Sequence, residues 1–206
     1  MLVLAFDTSA AHCAAALLRD GAVIAERREE MAKGQAERLM PLLEELLAGA
    51  GLGWRDLDAI GVGIGPGNFT GVRISVAAAR GLALALRIPA IGVSMLEALA
   101  EGAPRPLTVA EDARRGEAYV QHFSETGAEP PQLMPVDQIT GARRTGSAAH
   151  PAPGVEVLPP ALPLAVAIGR IAATKAGTPQ PRPAPLYLRG ADAAPPSDPP
   201  PVLIDG

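Results

Sequence analysis

Residues 61–73 read GVGIGPGNFTGVR, a glycine-rich turn between an apolar run and a long series of small residues. The apolar run, residues 57–65, predicts a strand, and residues 70–86 predict a long helix. A glycine turn that leads into a helix N-terminus presents free backbone N–H groups, which can hold an anion. The spacing fits neither GxGxxG nor the phosphate loop, which needs Lys before Ser or Thr. The pattern alone therefore favours a tight structural turn over phosphate binding.

The first thirty residues, on the N-terminal side of this turn, predict three strands. Apolar runs at Leu2–Phe6, Cys13–Arg19 and Ala22–Glu29 are separated by polar turns, and Asp20-Gly21 is a strong hairpin signal. The polar turn after the first strand is Asp7-Thr8-Ser9. These side chains could coordinate a metal-bound nucleotide or close a turn by bonding to the backbone, and the second interpretation is favoured.

Helices and strands alternate after this hairpin pair. Leucines at helical spacing predict an amphipathic helix over Gln35–Ala48, with Pro41 either in its first turn or at a kink. Ala90–Val93 predicts a strand, and Ser94 can cap a helix over Met95–Glu101. The order β-β-β-α-β-α-β-α predicts an α/β fold with a mixed sheet covered by helices.

Proline usage changes near residue 103, because nineteen of the 22 prolines follow residue 100. We therefore expect a first domain at 1–103, a reduced second domain at 104–190 and a proline-rich tail at 191–206. Within the second domain, Leu107–Ala110 and Glu117–Phe123 predict strands, and Leu164–Ala176 predicts a helix. Residues 124–163 are expected to be mostly loop, and 179–185 and 195–201 extended or disordered.

Composition excludes several functions. The formal net charge of −4 makes the chain a poor nucleic-acid binder by itself, so any RNA contact is expected to need a partner. The single cysteine, Cys13, allows no internal disulfide, and His12, His122 and His150 lack metal-ligand spacing. No catalytic residue and no metal site are predicted. The N-terminus lacks a basic leader and Asp7 interrupts its apolar run, so we expect a cytoplasmic protein without a membrane partner.

The long helix at residues 70–86 is rich in Ala and Gly. Gly81 in its interior costs about 1 kcal/mol relative to alanine, and close packing is the expected compensation. The packing partner could be the leucine-rich helix of the same chain or a helix of another chain. Separately, residues 112–117, DARRGE, predict a charged hairpin turn. Such a turn is usually solvated, but at a subunit interface it could form ion pairs or contact phosphate.

Six short motifs occur in a fixed order. They are LAFDTS at 4–9, GPGNFTGVRI at 65–74, GLA at 81–83, IGVS at 91–94, DARRGE at 112–117 and PLYLR at 185–189. Together they resemble the TsaB (YeaZ) family, the dimerisation subunit of the bacterial machinery for tRNA threonylcarbamoyladenosine. The GPGxFTGxR run is the most specific motif. The match is dense through residue 123 and thin from 124 to 184.

The resemblance implies the actin/Hsp70/sugar-kinase-like (ASKHA) fold with a reduced second domain. It also implies a non-catalytic accessory subunit that activates a TsaD-like threonylcarbamoyltransferase, which modifies the adenosine 3′ of the anticodon. That relative binds metal through two histidines on its first long helix, and residues 33–40 here contain none. A TsaE-like ATPase and tRNA are further expected partners, and weak ATP or ADP binding at the subunit interface is a possible addition.

Two sets of residues follow from the resemblance. A degenerate nucleotide site would include Asp7, Thr8, Ser9, Gly65 and Gly67. The first two helices would pair with those of the relative in a four-helix bundle, or with a second copy when the chain is alone. The expected contacts are Arg38, Leu39, Leu42, Leu43, Leu46, Arg73, Val76, Ala77 and Arg80. Asp112, Arg114 and Glu117 are candidates for a second interface.

Three alternatives stay open. An ATP-dependent kinase or hydrolase of the same fold would need a nucleotide clamp from both domains, but the second half contains no phosphate loop. A metallopeptidase-like protein would need clustered histidines. The third alternative is a structural module that binds an unrelated partner. Only the specificity of the long glycine motif argues against it.

Overall fold

Two five-stranded sheets organise the protein, whose computed structural model describes residues 1–189. The first sheet has the order β3-β2-β1-β4-β5, with β1 antiparallel to β2 and parallel to β4. The elements of this part are β1 Leu2–Asp7, β2 His12–Arg19, β3 Ala22–Glu30, α1 Gln35–Gly49, β4 Ala59–Gly63, α2 Phe69–Leu86, β5 Ala90–Val93 and α3 Met95–Ala100. The predicted order β-β-β-α-β-α-β-α is therefore confirmed.

The central strand β1 is apolar without alternation because both of its faces are covered. Leu4 and Phe6 point into one apolar cluster with the leucines of α1 and with Ala79 of α2. Val3 and Ala5 point to the opposite face, where they pack against α4, Leu164–Lys175. The first sheet is thus the middle layer of three.

The position of α4 corrects the predicted domain division. Residues 104–190 were expected to form the second domain, and the boundary near 103 does fall between the two sheets. The helix within this range nevertheless packs on the first sheet. A Cβ built on Gly61 of β4 would lie only 2.9 Å from Ala172 Cβ, so glycine lets the helix approach closely. The physical reason is that the second apolar face of the first sheet requires cover.

The second sheet has the order β10-β9-β6-β7-β8. Its strands are β6 Leu107–Asp112, β7 Glu117–Phe123, β8 Gln132–Pro135, β9 Arg143–Thr145 and β10 Glu156–Val157. Residues 124–163 are mostly loop, as expected, but they include three of these strands, which the sequence did not indicate. Each has four residues or fewer, which is too short for a readable two-residue alternation.

Helix α1 contains Pro41 in its interior rather than in its first turn, and Pro41 is exposed. Among the described residues, α2 is the one helix that is long and apolar enough to cross a membrane by length and composition. A helix of an ordinary folded domain can pass the same test. The predicted tail at 191–206, with its proline-rich run at 195–201, lies outside the described residues.

Candidate partner-binding surface and cleft

The glycine-rich loop packs directly on the polar end of β1. A Cβ on Gly63 would overlap the Asp7 carboxylate, and a Cβ on Gly71 would overlap the Thr8 carbonyl oxygen. A Cβ on Gly67 would lie 2.5 Å from the carbonyl oxygen of Ser9. These glycines therefore serve close backbone packing, the interpretation that the pattern favoured.

The side chains at the end of β1 are committed to internal hydrogen bonds. Asp7 Oδ1 accepts hydrogen bonds from the Ser9 amide at 2.9 Å and from Ser9 Oγ at 2.8 Å, and it lies 2.9 Å from His12 Nε2. Thr8 Oγ1 donates to the Gly71 carbonyl at 2.7 Å. All four side chains are buried. This arrangement favours turn closure over nucleotide coordination.

A cleft of about 1110 Å³ opens above this turn, between the glycine-rich loop and the β6–β7 hairpin. Of the residues predicted for a nucleotide site, Ser9 and Gly67 line it. Asp7 and Thr8 lie buried beneath it, and Gly65 instead accepts a hydrogen bond from the Met95 amide that begins α3. The hairpin side of the cleft includes Glu111, where burial raises the pKa of the carboxyl although Ser147 donates to it.

The candidate second interface divides between two places. Asp112 and Arg114 line the cleft, and Arg114 adopts the left-handed region with φ +63°. Glu117 instead accepts a hydrogen bond from Arg189 at 2.7 Å. Asp112 and Arg114 thus border the cleft, whereas Glu117 is not among its lining residues.

We expect Asp7→Ala to destabilise the fold by about 3 kcal/mol, because it leaves the buried donors of Ser9 and His12 without an acceptor. Urea unfolding measures this loss. Asp137→Ala, at an exposed carboxylate, is the control and should change the free energy of unfolding by less than about 0.5 kcal/mol. If the Asp7→Ala protein were stable but had lost nucleotide affinity, Asp7 would instead be a nucleotide-binding residue.

Four of the expected contact residues on α1 are wrong. Leu39, Leu42, Leu43 and Leu46 are buried in the chain's own core against the first sheet. Val76 of α2 is buried as well. The leucine periodicity identified the core-facing stripe of α1, which cannot at the same time face a partner. The outer face of α1 carries the exposed residues Glu37, Pro41, Glu44 and Ala48.

Arg38, also expected in the interface, is bound within the chain. Its guanidinium donates to Glu29 on β3 and to Glu45 about two turns along α1, all at 2.7 Å. These hydrogen bonds raise the pKa of Arg38 and lower the pKa of both carboxyls. Arg38 therefore joins α1 to the edge strand rather than reaching outward.

The remaining predicted contact residues lie on the outer face of α2. Arg73, Ala77 and Arg80 are exposed there, next to Gly81 and to Leu84, which is 76% exposed. A Cβ built on Gly81 meets no atom within 4 Å. Packing within the described chain therefore does not explain this glycine, and α1 is not the helix that it accommodates.

Sequence reasoning missed a cluster of three side chains at the N-terminal end of α2, which we call the aromatic cluster. The rings of Phe69 and Tyr187 are stacked with centroids 5.4 Å apart. The Arg73 guanidinium lies 3.8 Å from the centre of the Phe69 ring, and its Nε donates to the Tyr187 hydroxyl at 2.9 Å. The available signal was that two motifs, at 65–74 and 185–189, each carry an aromatic residue.

Comparison with known proteins places the fold in the actin/Hsp70/sugar-kinase-like class, as expected. The structure of YeaZ from Pseudomonas aeruginosa superposes with a TM-score of 0.74 at 28% identity, covering 91% of this chain and 99% of that one. The model of the family "TsaD: tRNA N6-adenosine threonylcarbamoyltransferase" matches residues 23–151.

Two curated relatives are named tRNA threonylcarbamoyladenosine biosynthesis protein TsaB. The Escherichia coli protein is 41% identical over 58% of this chain and 53% of its own length. The Buchnera aphidicola protein is 32% identical over 67% of this chain and 70% of its own length. The chain thus spans about half the length of the Escherichia coli protein and 70% of the Buchnera aphidicola protein. It belongs to the TsaB/YeaZ family. These relatives are named as biosynthesis proteins and not as catalytic enzymes.

Proposed function

We propose that this protein is a non-catalytic accessory subunit in tRNA threonylcarbamoyladenosine synthesis. It docks on a TsaD-like catalytic subunit and activates transfer of the threonylcarbamoyl group to the adenosine 3′ of the anticodon. The observation that carries the proposal is the outer face of α2, where Ala77, Gly81 and Leu84 form an exposed stripe of small and apolar side chains. A mid-helix glycine with open space beside it costs stability and suits the close approach of a second helix.

The charges on the two outer helix faces support a like pair of helices as the partner. The sequence of α2 contains no acidic residue, and Arg73 and Arg80 are exposed on it. The outer face of α1 instead carries Glu37 and Glu44. A second helix pair of the same design could place its acidic helix against α2 and its basic helix against α1. The TsaD-family match spans both helices, which supports such a relative as the partner.

A supporting role without chemistry is consistent with the end of β1, where Asp7, Thr8 and Ser9 are held by internal hydrogen bonds. The proposal also includes a TsaE-like ATPase, contact with tRNA through the complex, and a cytoplasmic location. Weak ATP or ADP binding at the subunit interface belongs to it, as does a homodimer through the same face when the catalytic subunit is absent.

The test is threonylcarbamoyl transfer to tRNA in vitro, with the threonylcarbamoyl adenylate, the TsaD-family protein of the same organism and, where required, its TsaE-like ATPase. Three arms contain the catalytic protein alone, this protein alone, and both together. We expect transfer only when both are present. Transfer by this chain alone would make it an enzyme that uses the cleft, and equal transfer with and without it would remove the accessory role.

A further inference from the structure

The aromatic cluster of Phe69, Arg73 and Tyr187 is an unusual surface for this composition. The chain contains only three Phe, two Tyr and one Trp, so large rings are scarce even in its core. Phe69 is nevertheless 54% exposed and Tyr187 is 49% exposed. A single exposed ring needs no explanation, but a stacked pair joined by a guanidinium is a preassembled group. Aromatic residues and arginine are the residue types enriched where binding energy concentrates at protein interfaces.

The cluster is continuous with the outer stripe of α2. Arg73 lies one helical turn before Ala77, so the ring pair extends the exposed face at its N-terminal end. A docked helix pair that covered Ala77 and Gly81 would therefore meet the cluster at its border.

The cluster is also anchored by hydrogen bonds on both sides of Tyr187. Before it, the Leu186 amide donates to the Ile64 carbonyl at 2.8 Å, beside the end of β4. After it, Arg189 Nη2 donates to the Ala113 carbonyl at 2.9 Å and to Glu117 at 2.7 Å on the β6–β7 hairpin. Residues 185–189, which we call the strap, thus fix Tyr187 in place. A side chain that is already ordered loses little entropy on binding.

We propose that the aromatic cluster is an anchor of the docking surface, so that the strap, and not the two helices alone, contributes to recognition. The inference rests on the proposed function, because the occupant to which it commits is the TsaD-like catalytic subunit. That subunit would offer an apolar pocket with an acidic rim, since Arg73 lies against the rings and α2, which also carries Arg80, has no acidic residue. A phosphate-bearing strand fits less well, because the chain has a net charge of −4 and Tyr187 already occupies the Nε of Arg73.

The test measures the dissociation constant for the TsaD-family protein of the same organism by titration calorimetry, with full-length variants. Phe69→Ala and Tyr187→Ala should each weaken binding by roughly tenfold or more, as anchor side chains do. The double variant should lose less than the product of the two effects, because the rings contact each other. Tyr187→Phe keeps the stacking and should lose less than Tyr187→Ala. Ile24→Ala, at a 40% exposed side chain on β3, is the control and should bind normally.

The outcomes separate this inference from the function on which it rests. If the unmodified protein binds and both alanine variants bind equally well, the cluster is not an anchor, while the accessory role stands. If the unmodified protein does not bind, both proposals fail. If the variants keep their affinity for the catalytic protein but lose affinity for tRNA in a parallel titration of the complex with tRNA, the cluster is a base-stacking platform and the inference is overturned. Unchanged melting temperatures would confirm that the variants are folded.

Discussion

Ala77→Arg is expected to abolish the complex with the TsaD-family protein while leaving this chain folded. Ala77 is exposed at the centre of the outer stripe of α2, so the isolated chain accommodates arginine without a clash. In the complex, the same bulky side chain would hold the two helix pairs apart where they approach most closely. We expect the dissociation constant to rise by at least about 1000-fold, which corresponds to roughly 4 kcal/mol. Affinity chromatography detects the loss, and calorimetry measures it.

A matched control for this variant is Ala22→Arg. Ala22 is also exposed but lies at the start of the edge strand β3, away from the α2 stripe. It should retain both the complex and the transfer activity. If Ala77→Arg bound as tightly as Ala22→Arg, α2 would not be the docking helix, and the position of the interface would have to be sought elsewhere.

Gly71→Ala is expected to cost about 4 kcal/mol or more of folding free energy. The added Cβ would overlap the carbonyl oxygen of Thr8. The Cβ is fixed to the backbone of α2 and the oxygen belongs to the backbone after β1, and neither segment can easily move. Thr8 follows the end of the buried central strand, and its hydroxyl is bonded to the Gly71 carbonyl at 2.7 Å. A loss of this size is a large part of the stability of an ordinary domain. Urea unfolding, or failure to obtain folded protein, measures the effect.

Gly81→Ala makes the same chemical change ten residues further along the same helix. Since a Cβ there meets no atom within 4 Å, we expect it to stabilise the isolated chain by about 1 kcal/mol. The same methyl group should weaken the complex if a partner helix approaches Gly81 closely. Equal stability of the two glycine variants would contradict the packing described for residues 65–71. Stabilisation without weaker binding would place the partner away from Gly81.

The sequence predicted the first sheet and its helices well, because their signals are long and local. Runs such as Leu2–Phe6 and the leucines of α1 extend over whole elements, and Asp20-Gly21 marks its turn without any tertiary information. The strands after residue 123 were missed because two to four residues carry no readable period. The placement of α4 on the first sheet was missed because an apolar helix face does not reveal from the sequence which sheet it covers.

The candidate site was less predictable from the sequence. The leucines of α1 were assigned to a partner because an apolar stripe does not reveal whether it covers a sheet or another chain. Gly81 was the better indication of a partner-facing surface, but only the structure shows that the space beside it is empty. Phe69 and Tyr187 could not be joined from the sequence, since the pair forms only when the strap returns past β4 to α2.

The packing of α4 on the first sheet has a consequence for how the protein folds during synthesis on the ribosome. The strand Leu2–Asp7 leaves the ribosome long before Ile168 and Ala172, which cover one of its faces. Until then the face that carries Val3 and Ala5 stays exposed to water. An uncovered apolar sheet face is prone to aggregation unless a chaperone covers it. The N-terminal lobe therefore cannot mature as an independent unit while the chain is being made. A chain truncated after residue 103 would lack α4, so this apolar face of the first sheet would stay uncovered permanently.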